Sequence, residues 1–143
     1  MDKNHNASIL VIEDNPGDIE LLRLALQQAG VECTLKIFQR GGEALAFVKQ
    51  YEQDSEGSAL DLAVVDLNLP QNDGIEIIEA MQSSAVLASV PIAVFSSSSL
   101  PRERERMETL RIMHYIVKPS ELDELLAVGR LLREILAHGR CSR

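Results

Sequence analysis

Four apolar runs in this chain lead into residues able to do ionic chemistry. SILVI is followed by Glu13 and Asp14, LAVV by Asp66, IAVF by Ser96 and HYIV by Lys118. Short runs rich in branched apolar residues read as strands buried on both faces, so these groups stand at strand ends. In an open parallel sheet, ligands sit beyond the carboxyl ends of the strands, where the strand order reverses. Three carboxylates, a hydroxyl and an ammonium therefore converge on one sheet edge. Crowded carboxylates repel one another and call for a cation. Hard oxygen ligands in small number favour Mg²⁺, which keeps several waters and completes its shell with phosphate oxygens. Lys118 and the Ser96 hydroxyl suit phosphoryl oxygens. The chemistry indicated is phosphoryl transfer to a carboxylate, forming an aspartyl phosphate.

The elements that must position these groups alternate along the chain. Strands are expected at 8–13, 31–38, 60–67, 90–96 and 114–117. Asn15 offers an N-cap, Pro16 a first helical residue and Asp18 a first-turn acid, with Ile19, Leu22, Leu26 and Ala29 at helical spacing and Gly30 as the stop. A second helix is expected over about 41–54, and QDSEGS at 53–58 reads as a surface loop. Asp73 caps a third helix, and a fourth, charged one follows at about 101–111. Ser120 with Asp123 makes a capping-box-like start for the last helix, which Gly139 ends. Five strands alternating with five helices give a doubly wound α/β domain with a parallel sheet covered on both faces. The domain is expected over 8–138, with a flexible N-terminus at 1–7 and a tail at 139–143.

Composition fits one domain and narrows its partners. The 143 residues are 45% hydrophobic and 25% charged, with three Phe, two Tyr and no Trp, so the core must rest on Leu, Ile, Val and Ala. The net charge is −8, and residues 1–100 hold 5 basic against 15 acidic residues. An acidic body repels nucleic acid, and the arginines of RERERMETLR alternate with glutamates instead of forming a basic face. Direct DNA binding is therefore not expected. Cys33 reads as a small core residue and Cys141 as part of the tail; they make neither a disulfide framework nor a metal pattern. No apolar stretch approaches a membrane span and MDKNHNAS is no signal peptide, so a reduced cytoplasm is the default. His5, His114 and His138 show no ligand spacing. Met81, Met107 and Met113 fall at core-like positions.

Each site residue also has a plainer reading. Asp14 could help cap the first helix, though that leaves Glu13 unexplained. Asp66 could form a turn, but LAVV before it implies burial, where a lone carboxylate is costly. Asn68 and Asp73 read as turn and cap residues. Ser96 is one of four consecutive serines, and Tyr115 fits a packed rim residue as well as a moving one. Lys118, between an apolar strand and Pro119, has few structural tasks.

Taken together, VIEDN (11–15), VVDLNLPQNDG (64–74), VFSS (94–97) and YIVKPS (115–120) resemble the response-regulator receiver domain of two-component signalling, with matching order and spacing from about residue 8 to 137. The resemblance implies a flavodoxin-like, CheY-like sheet of strand order 2-1-3-4-5. It implies that Asp66 accepts a phosphoryl group from a sensor histidine kinase or phosphotransfer protein. Mg²⁺ would be held by Glu13, Asp14, Asp66 and the backbone carbonyl of Asn68. Lys118 would pair with a phosphoryl oxygen, while Ser96 and Tyr115 would act as the switch pair. Pro119 would follow a cis bond, as is frequent in the family. Ser97 stands where alanine is usual, and LRIM (110–113) lacks the Gly-Ala turn that precedes the fifth strand in receivers.

Nothing but GRCSR follows the last helix, so a stand-alone receiver signalling through protein contacts is expected. It is a switch, not a conventional enzyme. The wording IEDNPGD, DLNLP and YIVKP is similar to receivers partnering phytochrome-type or hybrid sensor kinases. The last helix carries more apolar residues than one buried stripe needs. Either it serves a homodimer or partner interface with the fourth helix and fifth strand, or it is buried under the preceding loop. Three alternatives compete: a receiver-like module that is never phosphorylated, an aspartyl-nucleophile phosphatase and a flavodoxin. The first would have lost the acceptor, the acid pair or the lysine. The second usually has an Asp where Asn68 stands, and the third a Ser/Thr/Gly-rich loop where EDNPGD is acidic.

Overall fold

Five parallel strands form one sheet in the order β2-β1-β3-β4-β5. The computed structural model describes residues 6–51, 60–69, 73–97 and 101–141. The expected loop at 53–58 lies outside the described residues, as do residues 1–5 and 142–143. The elements in chain order are β1 (Ala7–Ile12), α1 (Pro16–Gln28), β2 (Cys33–Phe38), α2 (Gly41–Tyr51), β3 (Leu62–Asp66), α3 (Asp73–Ser83), β4 (Ile92–Ser96), α4 (Pro101–Thr109), β5 (His114–Val117) and α5 (Leu122–Cys141). The strand order reverses at β1, where β2 lies on one side and β3 on the other.

Alternation along the strands divides the core in two. Ile9 and Val11 of β1 face a cluster built with α1 and α5, through Leu22, Leu26, Val128 and Leu132. Leu10 and Ile12 face α2, α3 and α4, through Val48, Ile77, Ile78, Met81 and Met107. All four β1 residues are fully buried, as a strand covered on both faces must be. β1 begins one residue before the expected start, and Ala7 pairs with Cys33. Cys33 is half-buried against the first cluster.

Local signals set most helix ends. The Asn15 side chain accepts from the Asp18 N–H at 3.1 Å with Pro16 in the first turn, and Gly30 takes φ +75° past the end of α1. α3 begins with Asp73 as its first helical residue, one position inside the helix from the expected cap. At α5 the reciprocal partner of Ser120 is Glu124 and not Asp123: its carboxylate accepts the Ser120 N–H at 2.8 Å. Gly139 stays inside α5, which runs on to Cys141, because a helical glycine costs only about 1 kcal/mol relative to alanine.

The remaining differences lie around α4 and α5. Met113 is 87% exposed instead of buried. Arg111, at φ 62°, takes the left-handed position that closes α4, and the Ile112 N–H returns to the Met107 carbonyl at 2.8 Å. That turn sends Ile112 toward the core and Met113 outward. On α5, Leu125, Val128, Leu132, Ile135 and Leu136 are buried against the sheet and α1, while Leu122 is exposed. Most of the apolar excess on this helix is therefore core.

Candidate functional site

Glu13 follows β1 directly, Asp66 closes β3, Ser96 closes β4 and Lys118 follows β5, so all reach the same sheet edge. Carboxylate oxygens of Glu13, Asp14 and Asp66 lie within 4.8 Å of one another. Glu13 and Asp66 are buried, whereas Asp14 faces solvent. The Asn15 N–H donates to Glu13 Oε2 at 3.1 Å. Glu13 Oε1 is shielded from water and accepts no well-aligned hydrogen bond among the described residues. Burial, followed by the adjacent Asp66 carboxylate, pushes the Glu13 carboxyl up to about 7, against the pull of the Asn15 N–H and Lys118. A buried carboxylate beside two further carboxylates, one of them open to water, fits a hard divalent cation.

The Lys118 ammonium sits among these charges. Its Nζ is 2.8 Å from Asp18 Oδ2, 3.1 Å from Glu13 Oε1 and 3.5 Å from Asp66 Oδ1. Burial alone would lower its pKa, but the bond to Asp18 and the charges of Asp66 and Glu13 outweigh it and leave the ammonium above its ordinary value. The sequence marked Asp18 only as a first-turn helix residue, yet it is the closest carboxylate to the lysine. Its place one turn beyond Asp14 on α1 was the available signal. The Lys118–Pro119 bond is trans, unlike the cis bond the resemblance implied, as the intrinsic preference of X–Pro bonds favours.

The turn after β3 orients the Asp66 carboxylate. The Asn68 N–H donates to Asp66 Oδ1 at 2.9 Å, which fixes one carboxylate oxygen. The Asn68 side chain is turned toward β4, where its Oδ1 accepts both the N–H and the hydroxyl of Ser97 at 3.1 Å each. Ser97 thus ties the two loops together, a contact that alanine would halve. Close behind, α3 begins against the Asp66 backbone: a Cβ on Gly74 would lie 2.7 Å from the Asp66 carbonyl oxygen.

Ser96 and Tyr115 converge on a residue the sequence did not single out. The buried Ser96 hydroxyl donates to Glu103 Oε1 at 3.1 Å, and the Tyr115 hydroxyl donates to the same oxygen at 2.8 Å. Arg104 stacks over the Tyr115 ring, 4.9 Å from its centroid. Burial, with Glu103 adding to it, raises the Tyr115 phenol above its ordinary value. In the sequence, Glu103 is one of several glutamates alternating with arginines and carries no distinguishing signal.

The chain is similar to known proteins in sequence and in fold. The response regulator receiver domain profile matches residues 9–130. The response regulator Rcp1 of Synechocystis sp. is 27% identical over 117 residues, covering 82% of this chain and 80% of its own. The phosphorylated cyanobacterial phytochrome response regulator RcpA superposes with a TM-score of 0.78 at 29% identity, covering 93% of this chain and 95% of its own. The Mn²⁺-bound form of Rcp1 superposes with a TM-score of 0.74 at 25% identity, over 90% and 92% of the two chains. The fold is the CheY-like one the motifs implied. Among the described residues, no helix is long and apolar enough to cross a membrane.

Proposed function

Since the chain belongs to the response regulator receiver domain family, we propose that it is a phosphorylation switch whose acceptor is Asp66. A carboxylate oxygen of Asp66 attacks the phosphorus of a donor. The new acyl phosphate P–O bond forms as the bond to the donor's leaving group breaks, and that group keeps the electron pair. The observation that carries this reading is the setting of Asp66. Its Oδ1 is fixed by the Asn68 N–H at 2.9 Å and approached by Lys118 at 3.5 Å, beside the Glu13 and Asp14 carboxylates.

Glu13, Asp14, Asp66 and the backbone carbonyl of Asn68 would hold Mg²⁺. When bound, the ion neutralises charge that the carboxylates and the incoming phosphoryl group would otherwise bring into repulsion. Lys118 offers its ammonium to a phosphoryl oxygen, and Ser96 its hydroxyl to another. The donor is a sensor histidine kinase or a phosphotransfer protein, and likeness to RcpA favours a kinase of phytochrome or hybrid type. Output runs through protein contacts on the face of α4, β5 and α5, as a partner surface or a homodimer, and the exposed Val117 and Leu122 support that choice. Placement in the cytoplasm, without direct DNA contact, suits such a switch.

Intact mass measured after incubation with Mg²⁺ and acetyl phosphate tests the reading. It predicts a gain of one phosphoryl group that requires Mg²⁺ and is lost in Asp66→Asn. A folded, Mg²⁺-binding protein that gains nothing, and that also fails to bind beryllofluoride, would instead be a phosphorylation-independent module.

A further inference from the structure

We propose that Glu103 is a positioning residue that holds the switch in its resting arrangement by competing with the phosphoryl group for the Ser96 hydroxyl. The inference rests on the phosphorylation reading above and concerns a residue on α4. One carboxylate oxygen, Glu103 Oε1, accepts from both Ser96 Oγ at 3.1 Å and Tyr115 Oη at 2.8 Å. A serine hydroxyl has a single proton to donate. Ser96 therefore cannot serve Glu103 and a phosphoryl oxygen on Asp66 at once, and each phosphorylation must break the bond to Glu103. Because the same oxygen holds Tyr115, the loss of Ser96 alters the anchor of the tyrosine ring. Glu103 sits in the first turn of α4, so the exchange is felt at the start of that helix. A group that binds one state better shifts the equilibrium by its differential affinity, and here Glu103 favours the unphosphorylated state.

The test uses the full chain carrying Tyr51→Phe, in which Tyr115 is the remaining tyrosine and no tryptophan interferes. Tyrosine emission is followed during titration with beryllofluoride in Mg²⁺, for the parent, Glu103→Ala, Ser96→Ala and the double variant. Alkaline absorbance titration of the phenol serves as a separate readout. Removing a charge-assisted hydrogen bond of this kind should tighten beryllofluoride binding by roughly three- to tenfold. The gain should vanish in the Ser96→Ala background, because the competition runs through that hydroxyl. Glu103→Ala should also bring the Tyr115 phenol down toward its ordinary value. Unchanged or weaker binding in Glu103→Ala, or an equal gain without the Ser96 hydroxyl, would overturn the proposal while leaving the receiver reading intact. If the parent itself binds no beryllofluoride, the receiver reading falls and this proposal falls with it.

Discussion

Lys118 Nζ lies 2.8 Å from Asp18 Oδ2, closer than its 3.5 Å approach to Asp66 Oδ1. The lysine is thus the cation that compensates three carboxylates, with a side chain only 10% exposed. Lys118→Met leaves those carboxylates facing one another and should cost about 1–3 kcal/mol in Mg²⁺-free buffer. Saturating Mg²⁺ should restore part of that loss. Chemical denaturation with and without the ion checks this, and equal losses in both conditions would refute it. A double-mutant cycle with Asp18→Asn should show coupling of about 1–2 kcal/mol.

Glu13 makes stability depend on pH in a predictable direction. Burial and Asp66 hold its folded-state pKa at about 7, above the range of an unfolded carboxyl. The folded state therefore binds more protons than the unfolded state between the two values. This group destabilises the fold fully above pH 7, and the penalty fades as pH falls through 7 toward the unfolded carboxyl pKa. Without Mg²⁺, Glu13→Gln should stabilise the protein at pH 8 by on the order of 1–3 kcal/mol and have little effect near pH 4.5. Thermal unfolding at the two pH values measures the difference, and a larger gain at the acidic one would reverse the assigned sign.

The order of elements was legible because β1, β3 and β4 are short apolar runs that only a sheet covered on both faces would bury, and because Asn15, Pro16 and Gly30 mark helix ends. The core of the site was legible for a related reason, since charged residues directly after such runs are costly unless they act together. Asp18 and Glu103 were not legible. Acidic residues in a first helical turn are ordinary, favoured by the helix dipole, and their pairing with Lys118, Ser96 and Tyr115 spans 100, 7 and 12 residues of sequence. Met113 was misplaced because a periodic reading cannot foresee an arginine in a left-handed turn.

Gly129 marks where α5 crosses α1. A Cβ there would stand 2.2 Å from the Ala25 carbonyl oxygen and 3.2 Å from the Ala29 Cβ. The Ala25 carbonyl oxygen belongs to backbone inside a helix and cannot step aside. Gly129→Ala should therefore destabilise the protein by about 2–4 kcal/mol, despite the higher helix propensity of alanine. An unchanged midpoint in urea would show that the two helices part at no cost.

Arg111 occupies its left-handed turn at φ 62° with a side chain that disfavours it. Arg111→Gly relieves that strain at the end of α4 and should stabilise the fold by about 0.5–1 kcal/mol. The Ile112 N–H bond to the Met107 carbonyl is kept. Denaturant titration at fixed slope checks the gain, and a loss of stability would mean that the arginine side chain contributes more than its backbone costs.

The proposed site of phosphorylation is the carboxylate of Asp66. Borohydride reduces an acyl phosphate to the alcohol, so treating the phosphorylated chain should convert the modified aspartate to homoserine, which peptide mapping then locates. Homoserine is expected at position 66, formed only when Mg²⁺ and a phosphoryl donor are both present. Homoserine at position 14 or 18, or none anywhere in a chain that had gained phosphate, would contradict it.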